Sequence, residues 1–160
     1  MKITDFGLAR VVKDISKTGV DNVKSKIPMT DYVATRWYRA PEVLLGSPYY
    51  GTSIDIWSFG CCLAEVYMNK PIFPGSSTLN QLTKILEITG LPTPLELEAI
   101  SSPLTWEMLE SLFVEEQQKS IADLINNDDH DLHDLIAKIL VFDPAKRLSI
   151  QEIIDHPYFD

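Results

Sequence analysis

Thr30-Asp31-Tyr32-Val33-Ala34-Thr35-Arg36-Trp37-Tyr38-Arg39-Ala40-Pro41-Glu42 is the stretch on which the reading of this 160-residue chain turns, and it begins 25 residues after Asp5 of Asp5-Phe6-Gly7. Two hydroxyls, Thr30 and Tyr32, share one short segment. A phosphate on either would add roughly −1.5 to −2 charges and would seek arginine partners. Arg36 and Arg39 follow at once, and their forked donors suit phosphate better than lysine would. Gly7, Gly19, Pro28, Pro41, Gly46, Pro48 and Gly51 punctuate residues 5–52, which predicts a mostly irregular stretch. A loop of that length signals function. Residues 1–4 read as the end of a strand.

Beyond this stretch the pattern turns helical. From Ser53 to about Met68 the apolar residues Ile54, Ile56, Trp57, Phe59, Leu63, Ala64, Val66 and Tyr67 cover nearly every face, which predicts a central buried helix. Asp55 in its first turn complements the helix dipole. Pro71 and Pro74-Gly75 break the chain before a helix over about Thr78 to Thr89, with Leu79, Leu82, Ile85 and Leu86 at helical spacing and a stop at Gly90. Pro92, Pro94 and Pro103 bracket short pieces, with helices expected near 94–100, 105–112 and 119–125. Asn126-Asn127-Asp128-Asp129 reads as a turn feeding a helix N-terminus. Leu132, Leu135, Ile136, Ile139 and Leu140 form an amphipathic stripe, and Ser149 with Glu152 makes a capping box for a last helix through Asp155, closed by Pro157. The expected fold class is mainly α.

Composition narrows the functional classes. Apolar residues make up 45% and charged residues 23%, with no apolar run near the roughly 20 residues of a membrane span. No leader with a charged start, apolar core and cleavage site is visible, so an intracellular location, cytoplasmic or nuclear, is expected. Net charge is −9, split unevenly: residues 1–52 carry +3 and residues 53–160 carry −12. An acidic chain gains nothing from counterion release, which argues against nucleic acid as a partner. Adjacent Cys61 and Cys62 on a helix point apart and are expected to be buried, reduced thiols. His130 and His133 have a zinc-like spacing but no evident further ligands, and read as surface residues.

The ordered set D-F-G, T-x-Y and A-P-E, followed by Asp55-Ile56-Trp57-Ser58-Phe59-Gly60 and Asp143-Pro144-Ala145-Lys146-Arg147, resembles the second half of a protein kinase. T-x-Y just before V-A-T-R-W-Y-R-A-P-E resembles the mitogen-activated protein kinases. Pro71-Ile72-Phe73-Pro74-Gly75 and His156-Pro157-Tyr158 fit as well, and the short insert at about 91–128 resembles the atypical extracellular-signal-regulated branch. Asp31 departs from the Glu common in that branch. The resemblance covers essentially all 160 residues and implies one partial kinase domain, a C-terminal lobe without the N-lobe and catalytic loop. Residues 1–52 would hold D-F-G, activation segment and substrate loop, and residues 53–160 the helical body.

The resemblance also implies roles. Thr30 and Tyr32 would be activation phosphosites, with Arg36 and Arg39 reading the phosphotyrosine and Arg10 the phosphothreonine. Val33, Ala34 and Thr35, with the residues to Arg39, would form the pocket for a proline after the target Ser/Thr. Glu42 and Arg147 would be a buried ion pair, and Asp55 would hold the backbone of a catalytic loop. Leu44, Leu45, Leu79 and Leu82 match a pocket for aromatic docking motifs, or are ordinary core. Asp5 would bind Mg²⁺ beside ATP in an intact kinase, though a single carboxylate is not a metal site and this chain alone is expected to bind neither. Partners would be protein substrates with Ser/Thr-Pro sites, an upstream dual-specificity kinase unless the lip autophosphorylates, and phosphatases. The 160 residues contain no Gly-rich loop, V-A-I-K lysine or H-R-D aspartate, so the chain by itself is expected to be inactive. The alternative is a non-catalytic module that binds partners through its activation lip and helical surface. One further expectation concerns the central helix, whose apolar flank should be exposed.

Overall fold

The computed structural model describes residues 4–9, 36–48, 51–100, 108, 109, 112 and 119–160. Among the described residues seven helices have defined bounds: α1 (Pro41–Leu44), α2 (Ser53–Met68), α3 (Thr78–Thr89), α4 (Pro94–Ile100), α5 (Ile121–Leu124), α6 (His130–Ile139) and α7 (Ile150–Ile154). Single 3-10 turns lie at Phe6–Leu8, Arg36–Tyr38, Pro144–Lys146 and Pro157–Phe159. Among the described residues there is no strand, so the fold is mainly α as expected. None of their helices is long and apolar enough to cross a membrane.

The axis of the fold is α2, packed along α6. The α6 stripe Leu132, Leu135, Ile136 and Ile139 is completely buried, as its 3.6-residue period predicts. The two helices approach closely at Gly60, where a Cβ would collide with the Ile139 side chain and meet Leu140 Cδ2 at 2.9 Å. Trp57, Cys61 and Ala64 complete the buried face of α2. Around this seam sit Leu82, Ile85 and Leu86 of α3, Leu97 and Ile100 of α4, and Ile153 of α7.

Side chains close the helix starts. Ser77, Ser120, Asp129 and Ser149 each accept a hydrogen bond from a backbone N–H in the first turn. Such a cap contributes about 1 kcal/mol against alanine. The Ser149–Glu152 capping box forms as read from the sequence, and Ser120–Asp123 makes a second. Asn127 Oδ1 accepts from the Asp129 N–H at 2.8 Å, the turn expected ahead of α6. Asn69, left-handed at φ 54°, ends α2 by donating its N–H to Glu65 O.

Several expectations need correction. Cys62 is exposed, not buried: it lies on α2 with Asp55, Phe59 and Val66, spaced to share one face, and Val66 is 71% exposed. The exposed flank of the central helix therefore exists, and Cys62 is on it. The helix expected over 119–125 contracts to Ile121–Leu124, and the last helix ends at Ile154 with Asp155 as its cap. Residues 5–52 also contain the one-turn helix α1, started by Pro41, whose missing N–H costs nothing at a first position. Of the helix expected at 105–112, only Met108, Leu109 and Leu112 are described, half-buried against the core. The strand expected over 1–4 lies outside the described residues except for Thr4.

Candidate functional site

The segment that carries the sequence argument is held from two sides. Arg36–Tyr38 forms a 3-10 turn, and Arg36 Nη1 donates to Ser76 O at 2.6 Å, just ahead of α3. Trp37 Nε1 donates to Gly75 O at 3.0 Å, and Gln81 Nε2 on α3 donates to Trp37 O at 3.3 Å. From the other side, Tyr38 OH donates to Glu65 Oε2 at 2.5 Å and Ser58 Oγ donates to Tyr38 O at 2.9 Å, both partners being on α2. Arg39 is half-buried, with its N–H on Arg36 O at 3.1 Å. Two arginines thus flank a turn clamped between α2 and α3.

The Tyr38 phenol is pushed up to about 12, first by its hydrogen bond to the Glu65 carboxylate and then by burial. An acid whose folded pKa lies above its unfolded value of about 10 stabilises the fold fully below that pH and loses the contribution as pH rises through the folded value. Stability should therefore fall between about pH 10 and 12, and Tyr38→Phe should flatten that part of the curve. Urea titrations at stepped pH would check this, and an unchanged slope in the variant would count against it.

Glu42 and Arg147, 105 residues apart, meet as the expected pair. Arg147 Nη1 and Nη2 donate to Glu42 Oε1 and Oε2 at 2.8 and 2.7 Å, with side-chain exposures of 1% and 2%. The remaining donors reach Val141 O at 2.9 Å, Ser53 O at 3.0 Å and Phe142 O at 3.1 Å, so all five guanidinium N–H groups are used. Its carbon Cζ lies 4.9 Å from the Trp57 ring centroid, a cation–π contact. One side chain therefore ties the helix after the Arg36–Tyr38 turn to the start of α2 and to the loop after α6.

The other expected site residues are scattered. Asp5 is exposed in a left-handed conformation, and its Oδ1 accepts from the Gly7 N–H at 3.3 Å. No group of three His, Cys, Asp or Glu able to hold a metal occurs among the described residues. Asp55 is exposed in the first turn of α2. Leu44, Leu45 and Leu82 are buried, whereas Leu79 is 41% exposed on α3, so among these four only Leu79 presents substantial surface. His130 is exposed, and His133 is half-buried with Nε2 3.1 Å from Ile125 O. Arg10, Thr30, Tyr32, Val33, Ala34 and Thr35 lie outside the described residues.

The chain as a whole is similar to known proteins. The protein kinase domain family matches residues 1–159. The chain belongs to the protein kinase family. Its relatives place it in the mitogen-activated branch: extracellular signal-regulated kinase 2 of Dictyostelium discoideum is 45% identical over 99% of this chain and 42% of its own length. Mitogen-activated protein kinase homolog 1 of Petunia hybrida is 44% identical over 99% of this chain and 38% of its own. A solved MAP kinase structure from Leishmania major superposes with a TM-score of 0.73 at 36% identity, over 78% of this chain and 37% of the other. The chain spans about two-fifths of the length of the curated relatives it matches.

Some contacts of this kinase chain escape sequence reasoning. Tyr38 and Glu65 are each ordinary surface-type residues until α2 brings them together. Lys146 Nζ reaches Glu96 Oε1 at 2.6 Å and, with the Thr93 N–H on Glu96 Oε2, holds that carboxyl below its usual range. Gln81 does leave a signal: a glutamine four residues before Ile85 and three after Thr78 stands where the α3 pattern asks for an apolar side chain.

Proposed function

We propose that this chain is the part of a proline-directed, mitogen-activated Ser/Thr protein kinase that carries the activation switch and the substrate loop. The observation that carries the reading is the R-W-Y-R turn, clamped to α2 and α3 directly after Thr30-Asp31-Tyr32. Phosphorylation of Tyr32 would place charge beside Arg36 and Arg39, and phosphorylation of Thr30 would engage Arg10. Val33, Ala34 and Thr35 would then form the pocket for the proline that follows the target residue. The Glu42–Arg147 pair would brace that loop from below.

ATP and Mg²⁺ belong to the reaction of the complete enzyme. Asp5 suits one carboxylate contact to Mg²⁺, which when bound draws the nucleotide phosphates together and neutralises their charge. Protein substrates with Ser/Thr-Pro sites, an activating kinase and phosphatases are the partners this reading requires. These 160 residues contain no catalytic H-R-D aspartate, so assayed by themselves they should transfer no phosphate.

The test is phosphate transfer from ATP to a Ser-Pro peptide, comparing this chain with the longest product of its reading frame. Transfer is expected only from a product that includes an H-R-D motif, should depend on doubly phosphorylated Thr30 and Tyr32, and should fall at least about 100-fold with Asp5→Asn, as when one transition-state charge contact is lost. An Ala-for-Pro peptide serves equally well only if the substrate-loop reading is wrong.

A further inference from the structure

Gln81 is completely buried on α3, yet it is polar, and both ends of its carboxamide are used. Nε2 donates to Trp37 O at 3.3 Å, and Oε1 accepts from the Gly75 N–H at 3.0 Å. That N–H also lies 2.9 Å from Phe73 O. Gly75 in turn accepts the Trp37 indole N–H on its carbonyl. Gln81, Gly75 and Trp37 therefore close a ring of three hydrogen bonds, with the Arg36 bond to Ser76 beside it. The fit is tight: a Cβ on Gly75 would collide with Gln81 Oε1 and meet Gln81 Cα at 2.6 Å. Burying a carboxamide costs free energy unless both ends are paired, and no apolar side chain could satisfy the Trp37 carbonyl.

We infer that Gln81 is a positioning residue for the substrate loop, setting where Arg36–Tyr38 sits relative to α3; this rests on the kinase reading above. Leu79, two residues earlier on α3, faces outward while Gln81 faces inward, because residues two apart lie on nearly opposite sides of a helix. The carboxamide is the link between the inner face of α3 and the turn at Trp37.

The experiment is amide and indole hydrogen exchange by NMR on the 160-residue chain, wild type against Gln81→Met, which keeps the bulk and removes both hydrogen bonds. The expected result is exchange about 10-fold faster at the Trp37 indole and the Gly75 amide, the worth of one to two hydrogen bonds. Amides of α6 should stay within about two-fold, as expected for a local opening. Equal acceleration everywhere would make Gln81 a packing residue and overturn the inference, as would no change at Trp37 and Gly75. If the variant does not fold, the wild-type carboxamide protons decide: slow exchange supports the inference, and the rate of an exposed glutamine overturns it. No phosphate transfer enters this readout, so an inactive enzyme would remove the kinase reading alone, and uniform exchange the role of Gln81 alone.

Discussion

Arg147→Ala is expected to destabilise the chain by about 3–5 kcal/mol, the cost of leaving one partner of a buried ion pair without the other. The stranded group is the Glu42 carboxylate, in a residue that is only 1% exposed. The carbonyls of Val141, Ser53 and Phe142 lose their donor at the same time. Domains of this size have only about 5–15 kcal/mol in total, so the variant should sit near its unfolding threshold. Arg147→Lys should recover little, because an ammonium keeps the charge but not the fork that bonds both Glu42 oxygens in parallel. Glu42→Gln keeps shape and one acceptor, and should cost less than Arg147→Ala. Urea unfolding followed by circular dichroism gives the ordering, and a loss below about 1 kcal/mol for Arg147→Ala would show that the pair contributes as a surface bridge does.

Phe73→Ala should cost about 3–5 kcal/mol, the range for truncating a fully buried aromatic residue. Phe73 has no exposed surface, and its ring stacks on Trp57 with centroids 5.6 Å apart and planes 12° from parallel. Trp57 carries Arg147 over its ring, so the cavity would also remove a packing partner from the ring on which that arginine rests. At this chain length each kcal/mol corresponds to about 2–4 °C of melting temperature. A local consequence should accompany the global one. Phe73 is the anchor of the loop whose Gly75 and Ser76 carbonyls hold Trp37 and Arg36, so emptying its site should loosen the R-W-Y-R turn. Differential scanning calorimetry measures the first effect and the Trp37 indole resonance the second. A shift in melting temperature without any change at Trp37 would mean that the turn is held independently of the Phe73 loop.

The two predictions differ in how visible their residues are in the sequence. Phe73 lies in an ordinary apolar stretch between two prolines, and its burial follows from hydrophobicity alone. The Glu42–Arg147 pair carries no pattern of its own across 105 residues, and it was legible only through resemblance to kinases. Thr30 and Tyr32, the residues proposed to form a switch, are readable as two hydroxyls near arginines, while their arrangement lies outside the described residues. Cys62 shows the opposite failure. A helix apolar on nearly every face does not say which faces are covered, and with α6 packed against Gly60, Cys62 and Val66 stay exposed.

What the sequence determined by itself is local. Helical period, capping boxes and proline or glycine stops are interactions among residues three or four apart, and they placed α2, α3, α4, α6 and α7 within a few residues. The tertiary structure decided whatever depends on pairing across long separations: the Gln81 carboxamide between Trp37 and Gly75, Tyr38 on Glu65, and Lys146 on Glu96. A polar side chain finds such a partner only after burial has removed water as the alternative, and burial is a property of the packed helices rather than of any one of them.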